Sequence, residues 1–386
     1  MARDARIYAG WLIDGSGEPF KKNIYIKIKD GLIEKIKKTD KNILNAPGIK
    51  DFSGKTLLPC LTDCHVHLFM SGTTDLKSRQ KQLASNSDKI KAAIFSNLDR
   101  HRSCGIGAVR DAGDRNGSAL LFKNSFYDTE RCPVRLHAAG IGWHASGRYG
   151  KLMARSPLKD KTLARSILEA EGNPDHVKVI NSGLNSLSIF AKETKPHFVL
   201  KEMKAAVAAA KQINLKIMAH ANGKIPVQIA VEAGCGSIEH GFFMGRENME
   251  KMAEKGLTWV PTVYPMKAHY NFLKKTGQNF DVTLKNIEHQ LDQIRLAKKI
   301  GVSVATGTDA GSPGAEHGDS LSKEFGMLMA AGFSVEEAVK SATLNGARLM
   351  GIKKMGLVAE GMAANIIATP GPPSRLPKSF ASVEYV

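Results

Sequence analysis

The chain has 386 residues, of which 42% are hydrophobic and 24% charged, with a formal charge of +18; this is globular composition, enough for one large domain and a smaller one. No run reaches the roughly eighteen apolar residues of a membrane span, and the polar start Met-Ala-Arg-Asp-Ala-Arg lacks an apolar signal core, so a cytoplasmic protein is expected. The cysteines (Cys60, Cys64, Cys104, Cys132, Cys235) include no Cys-x-x-Cys pair, which argues against a disulfide framework or zinc ribbon and makes Cys60 and Cys64 small buried residues.

In residues 23–37, Ile24, Ile26 and Ile28 alternate with polar neighbours, and Asp30-Gly31 offers the positive-φ pair of a tight hairpin. Lys21, Lys22, Lys27, Lys29, Lys35, Lys37 and Lys38 alternate with the apolar residues here, so the positive charge reads as one solvated face of a small β unit. Aromatic residues do not interleave with the basic ones as a single-strand groove requires, so no nucleic-acid partner is expected.

From Leu57 onward short apolar runs alternate with helical stretches. The runs are Leu57–His67, Gly107–Ala112, Val134–Ile141, His176–Asn181, Lys216–His220, Ser237–His240, Thr258–Val263 and Val302–Asp309; Leu200–Ile213 and Ile287–Ile300 typify the helices between them. Such alternation predicts βα units and a parallel sheet, and eight of them suggest a closed (β/α)₈ TIM barrel, although counting alone leaves an open doubly wound sheet as an alternative. A helix over Ser334–Leu349 starts at a capping box, Ser334 with Glu337. The tail Gly356–Ala368 returns to β-like runs that can pair with the N-terminal hairpin, and the Pro-rich stretch 370–377 is expected to be irregular. The expected division is 1–56 and 353–386 as a small β unit and 57–352 as the α/β domain.

His65-Val66-His67 closes the first run. Residues two apart on a strand point the same way, so both imidazoles can address one metal. His220 closes the fifth run, His240 the sixth and Asp309 the eighth. In a barrel these strand ends converge on one face, and imidazoles plus a carboxylate suit zinc or a similar divalent ion. Lys178, between valines in the fourth run, is expensive to bury unless its charge is removed or paired. Carbon dioxide added to its amine would give a carbamate able to bridge two metals.

These motifs make the chain resemble the amidohydrolase superfamily: Leu61-Thr-Asp-Cys-His-Val-His67, Val-Lys-Val-Ile at 177–180, the His-ending runs at 220 and 240, Gly-Thr-Asp-Ala at 307–310, and Ser341-Ala-Thr-Leu-Asn-Gly-Ala347. It is most similar to the branch holding imidazolonepropionase-like enzymes and Xaa-Pro dipeptidases. The departures are Pro59-Cys60 where Pro-Gly is usual and Ala364-Asn365-Ile366 where Ala-Asp-Leu is usual. The resemblance implies a β-sandwich from both termini and two zinc ions. His65, His67 and Asp309 would hold one ion, His220 and His240 the other, with carboxylated Lys178 as the bridge.

The chemistry this implies is hydrolysis of an amide or peptide C–N bond, with Asp309 as the catalytic proton carrier. His144, Arg148 and Tyr264, after the third and seventh runs, are the candidates for binding substrate, and His317 is a weaker one. A small carboxylate-bearing substrate, such as a dipeptide or N-acyl amino acid, is expected, and a homo-oligomer with no membrane partner. Two readings compete: a one-metal cyclic-amide hydrolase or deaminase, and a non-catalytic barrel scaffold.

Overall fold

The computed structural model describes residues 4–127 and 134–386. Strands from both ends of the chain form one mixed six-stranded sheet, in the order Glu384–Tyr385, Ile366–Pro370, Ile49–Pro59, Ala5–Leu12, Lys21–Lys29, Leu32–Lys38. The expected hairpin is there: Ile26 faces Ile36 and Ile28 faces Ile33 across an antiparallel ladder. Its turn residues Asp30 and Gly31 have φ of 50° and 72°, the left-handed pair that a two-residue hairpin needs. Ile24, Ile26, Ile28 and Ile33 bury their side chains with Ile7, Leu57 and Ile366 in a core of their own, while Lys29, Lys35, Lys37 and Lys38 stand in solvent. The C-terminal strand joins by antiparallel pairing, Leu57 opposite Ala368 and Pro59 opposite Ile366.

Only Cys60 separates Ile49–Pro59 from Leu61–Val66, so the terminal sheet is fixed directly to the α/β part. There, Leu61–Val66, Ile106–Asp111 and Arg135–Ala138 pair in parallel. Gly142–Trp143, Val177–Ile180, Ile217–Ala221, Ser237–His240, Thr258–Val260 and Ser303–Val304 follow in a second parallel sheet, in chain order. The eighth run meets the first: Cys64 N–H donates to Thr306 O (2.9 Å), Asp309 N–H to His65 O (2.7 Å) and His67 N–H to Ala310 O (2.7 Å). Between the third and fourth runs, Asp175 N–H donates to Ala138 O (3.0 Å).

Several boundaries differ from the sequence reading. The run Val302–Asp309 is a strand only at Ser303–Val304, since its later residues spend their hydrogen bonds on the first strand and on turns. The Ser334–Leu349 helix keeps its capping box but divides into Val335–Ala342 and Leu344–Leu349. The break is at Thr343, whose hydroxyl turns back to Val339 O (2.7 Å). The helix before the eighth run begins earlier than the apolar pattern suggested, at Asp281, and stops at Gly301 in the left-handed conformation (φ 89°). Cys60 and Cys64 are buried and unpaired; Cys132 lies outside the described residues. No helix among the described residues is long and apolar enough to cross a membrane.

Candidate metal centre and active site

His65 and His67, two apart at the end of Leu61–Val66, project to the same side as expected, with ring centroids 5.5 Å apart. Asp309 comes to meet them: its Oδ1 lies 3.3 Å from His67 Nε2 and 3.6 Å from His65 Nε2. The ligand atoms of these three side chains all lie within 4.8 Å of one another. His240 and His220 extend the cluster, with centroid distances of 4.9 Å from His65 to His240 and 4.5 Å from His240 to His220. Lys178 is buried on the neighbouring strand and lines the same cavity. The structure thus brings together His65, His67, Lys178, His220, His240 and Asp309.

The outer hydrogen bonds decide which nitrogen each ring presents. His65 Nδ1–H donates to Glu239 (2.7 Å) and His67 Nδ1–H to Gly113 O (2.9 Å). His240 Nδ1–H donates to the Thr262 hydroxyl (2.6 Å), whose own proton goes to Pro261 O. His220 is reversed: Nε2–H donates to Gly183 O (3.2 Å), which leaves Nδ1. A carbonyl oxygen can only accept, so in the neutral rings the nitrogens that remain carry lone pairs. Burial keeps the rings neutral, pushing His65 and His220 well below the ordinary imidazole range and His240 down to about 3.

Asp309 behaves oppositely. Burial pushes its carboxyl up, but any proton taken up by His67, His65 or His240 beside it favours its anion, so the group lies well below the carboxylate range. Two imidazole lone pairs and a carboxylate therefore converge, and His65 Nε2 is buried with no hydrogen-bond partner. Converging acceptors repel unless a cation lies among them, so this donor set fits a divalent metal ion. Burial also pulls the Lys178 amine down to about 8, which leaves a fraction uncharged and nucleophilic near neutral pH.

Backbone strain accompanies the geometry: His240, Thr262 and Asp309 adopt φ of 66°, 45° and 51°, a region that costs non-glycine residues free energy. Buried side chains hold these turns. Gln290 Nε2 donates to His240 O (2.6 Å), and the Asp63 carboxylate accepts Thr308 Oγ1 (2.6 Å) and Thr308 N (3.0 Å), tying the eighth strand end to the first.

Glu239 was not singled out in the sequence, and neither was Arg110. Glu239 is fully buried, accepting from His65 with one oxygen and from Ser237 and Arg110 with the other; the Arg110 bond is 2.5 Å. Arg110 also donates to Cys64 O (3.0 Å). The signal was available: each is a charged residue within a strand-like run, as Lys178 is, and opposite charges buried in such runs are expected to pair.

The three substrate-binding candidates do not line the cavity over this cluster. His144 is buried with Nδ1 donating to Ala145 O (2.7 Å), and Arg148 is exposed. Tyr264 opens the helix Tyr264–Lys275; its ring packs with Ala268 and Ala315, and the Lys323 ammonium lies 5.1 Å from its centroid. Tyr149, next to Arg148, does line it, its ring 5.7 Å from His220 and its hydroxyl pushed up to about 12 by burial and the Asp309 charge. His317 is structural: Nε2–H donates to Met70 O (2.8 Å) while Nδ1 pairs with His101 (3.0 Å).

Known proteins carry the same plan. The chain is 25% identical to ochratoxinase from Aspergillus niger, over 94% of this chain and 80% of that protein. It is 23% identical to imidazolonepropionase from Idiomarina loihiensis, over 95% and 90%. A solved Xaa-Pro dipeptidase with methionine bound in its active site superposes with a TM-score of 0.80 at 27% identity, covering 99% of this chain and 97% of that one. The amidohydrolase family model matches residues 56–384, from the strand before the His65–His67 pair to the last strand of the terminal sheet. This chain is a metal-dependent hydrolase acting on carbon–nitrogen bonds, and it belongs to the amidohydrolase family.

Proposed function

We propose that the chain hydrolyses an amide-type C–N bond of a small molecule at a two-metal centre, in which His65, His67 and Asp309 hold one ion and His220 and His240 the other. Carboxylated by CO₂, Lys178 would help to hold both ions, and zinc would suit the imidazole-rich set. The observation that carries the reading is the convergence of His65 Nε2, His67 Nε2 and the Asp309 carboxylate within 4.8 Å, all as acceptors. The seam hydrogen bonds of Cys64, His67 and Asp309 support a closed eight-stranded barrel, with residues 57–352 as its span. The separate apolar core of the terminal strands supports residues 1–56 and 353–386 as a β-sandwich unit.

A bound divalent ion supplies Lewis acidity and activates water for attack on a carbonyl. The chain does the rest. Asp309, ionised and at the cluster's centre, accepts the proton of the attacking water and delivers it to the departing nitrogen. Tyr149, protonated throughout the working range, can donate a hydrogen bond to the substrate carbonyl from the cavity wall. Glu239 fixes the His65 tautomer, and Gly113 O that of His67.

The test is amide hydrolysis by purified protein before and after chelation, with metal content measured alongside. Activity lost with the metal and restored on adding it back is expected. Unchanged activity in metal-free protein, or no hydrolysis of any amide by the fully loaded protein, counts against the reading.

A further inference from the structure

The cavity over the metal cluster, about 340 Å³, is in the range of small-ligand sites. Above the metal-binding side chains its wall combines apolar side chains, among them Met153, Leu184, Leu187 and Met266, with the polar side chains of Tyr149, Asn185, Asn222 and Ser312. Among the described residues, Lys178 is the only lysine or arginine lining it, and it lies buried at the floor among the metal-binding residues. His269, on the wall, is lowered from the ordinary imidazole range by burial and presents a neutral ring near pH 7. In a chain of formal charge +18, a substrate pocket without a free cation is informative. A site built to pair a substrate carboxylate places a cation there, whereas the donors on this wall, Tyr149, Asn185, Asn222 and Ser312, carry no charge.

The rim points the same way. The segment between the strand Val177–Ile180 and the helix Leu200–Gln212 is held at its base, where His197 N–H donates to Asn181 O (3.0 Å) and Gly183 N–H to the Thr194 hydroxyl (2.8 Å). Its tip carries Leu184, Leu187, Ile189 and Phe190, which are 58%, 49%, 53% and 41% exposed. Leu184 and Leu187 line the cavity, and Phe190 meets Phe243 edge-on with ring centroids 5.5 Å apart. Single exposed leucines are ordinary, but four large apolar side chains together at the mouth of a metal site form a binding surface.

We propose that the site takes a neutral amide whose apolar group, aliphatic or aromatic, packs against Leu184, Leu187 and Met266, and that it disfavours a free carboxylate near the scissile bond. This rests on the amide-hydrolase reading above and names its substrate class.

The experiment titrates two hydrolysis-inert sulfonamides into metal-loaded protein by calorimetry: neutral N-benzylhexanesulfonamide and its carboxylate-bearing counterpart N-(hexylsulfonyl)phenylglycine. In parallel, hydrolysis of N-hexanoylbenzylamine and N-hexanoylphenylglycine is followed. The neutral probe should bind about tenfold or more tightly than the acid, as expected when a carboxylate must leave water for a wall that offers it no side-chain cation. L184D and L187D should each weaken the neutral probe about tenfold, the order expected for losing one apolar contact surface. Leu121, 60% exposed on the helix Ser118–Phe126 and outside the cavity, is the control, and L121D should change nothing. Equal or tighter binding of the acid overturns the proposal, as does neutral binding indifferent to both rim variants. A change of oligomeric state in L184D or L187D by light scattering also overturns it, because the rim would then cover a second copy. Tight neutral binding without turnover of either amide refutes the hydrolase reading and leaves the ligand class standing; turnover of the acid alone does the reverse.

Discussion

The floor and the rim of the active-site cavity are built differently. The floor is made of strand ends and the turns tied to them: His65, Lys178, His220 and His240 lie in parallel strands, His67 follows Leu61–Val66, and Asp309 is bound to that strand through its N–H to His65 O. The rim is made of the connections 144–153, 181–199 and 261–263 and the first turns of the helix Tyr264–Lys275, whose side chains turn inward or outward according to local packing. A parallel strand can deliver a side chain to only one place, and a loop can deliver it to several. The floor therefore carries chemistry that tolerates little displacement, and the rim carries selectivity.

The floor should respond most steeply to substitution. Asp309→Asn keeps the shape of the carboxylate but not its charge or its capacity to carry a proton, so turnover should fall by about 10²–10⁴-fold with the fold retained. Steady-state kinetics beside circular dichroism checks this, and near-wild-type turnover in metal-loaded D309N removes Asp309 from the mechanism. Lys178→Ala should lose most of the bound metal, with partial recovery in short carboxylic acids that can supply the missing bridge. Metal content by mass spectrometry reads it directly, and full occupancy without added acid rules out the bridge.

One layer further out, Glu239→Gln should weaken metal binding about 10–100-fold, the usual cost of removing a carboxylate that orients a ligating imidazole. It also leaves Arg110 buried beside a neutral amide, so stability should fall as well. Chelator competition gives the affinity and denaturant melts give the stability. If Glu239→Gln matches wild type in both, the Glu239–His65 bond does not set the ring.

Glu324 offers the most specific effect. Its carboxylate accepts the N–H groups of Val263 (3.0 Å) and Tyr264 (2.7 Å) at the start of the helix under the rim, yet burial raises its pKa from 4.5 to about 8. Because the folded value lies above the unfolded one, this group's contribution is complete below about pH 4.5 and is lost as pH rises toward 8. The slope cannot exceed about 1.4 kcal/mol per pH unit for one proton. Denaturant melts from pH 5 to 8 should show it in wild type and not in Glu324→Gln; parallel profiles dismiss it.

The same contrast explains what could be read from the sequence. The hairpin at Asp30-Gly31, the alternating strands and helices and the six floor residues were legible because each follows from a period or from a strand end. Glu239 and Arg110 escaped, although they obey the rule that picked out Lys178, because their meaning lies in a pair 129 residues apart in the chain. The rim was not legible. Tyr264 and Tyr149 both follow parallel strands, and nothing in local sequence says that Tyr264 turns to Ala268 and Ala315 while Tyr149 reaches His220. That choice is made by tertiary packing alone.

The central claim is that His65 Nε2, His67 Nε2 and Asp309 converge as acceptors because a cation belongs among them. Anomalous diffraction from crystals of zinc-loaded protein, collected on both sides of the zinc absorption edge, tests it most directly. The account predicts a strong peak within coordination distance of these three side chains and a second beside His220 and His240, joined by density for a carboxylated Lys178. Saturating zinc with no peak among His65, His67 and Asp309 would contradict it.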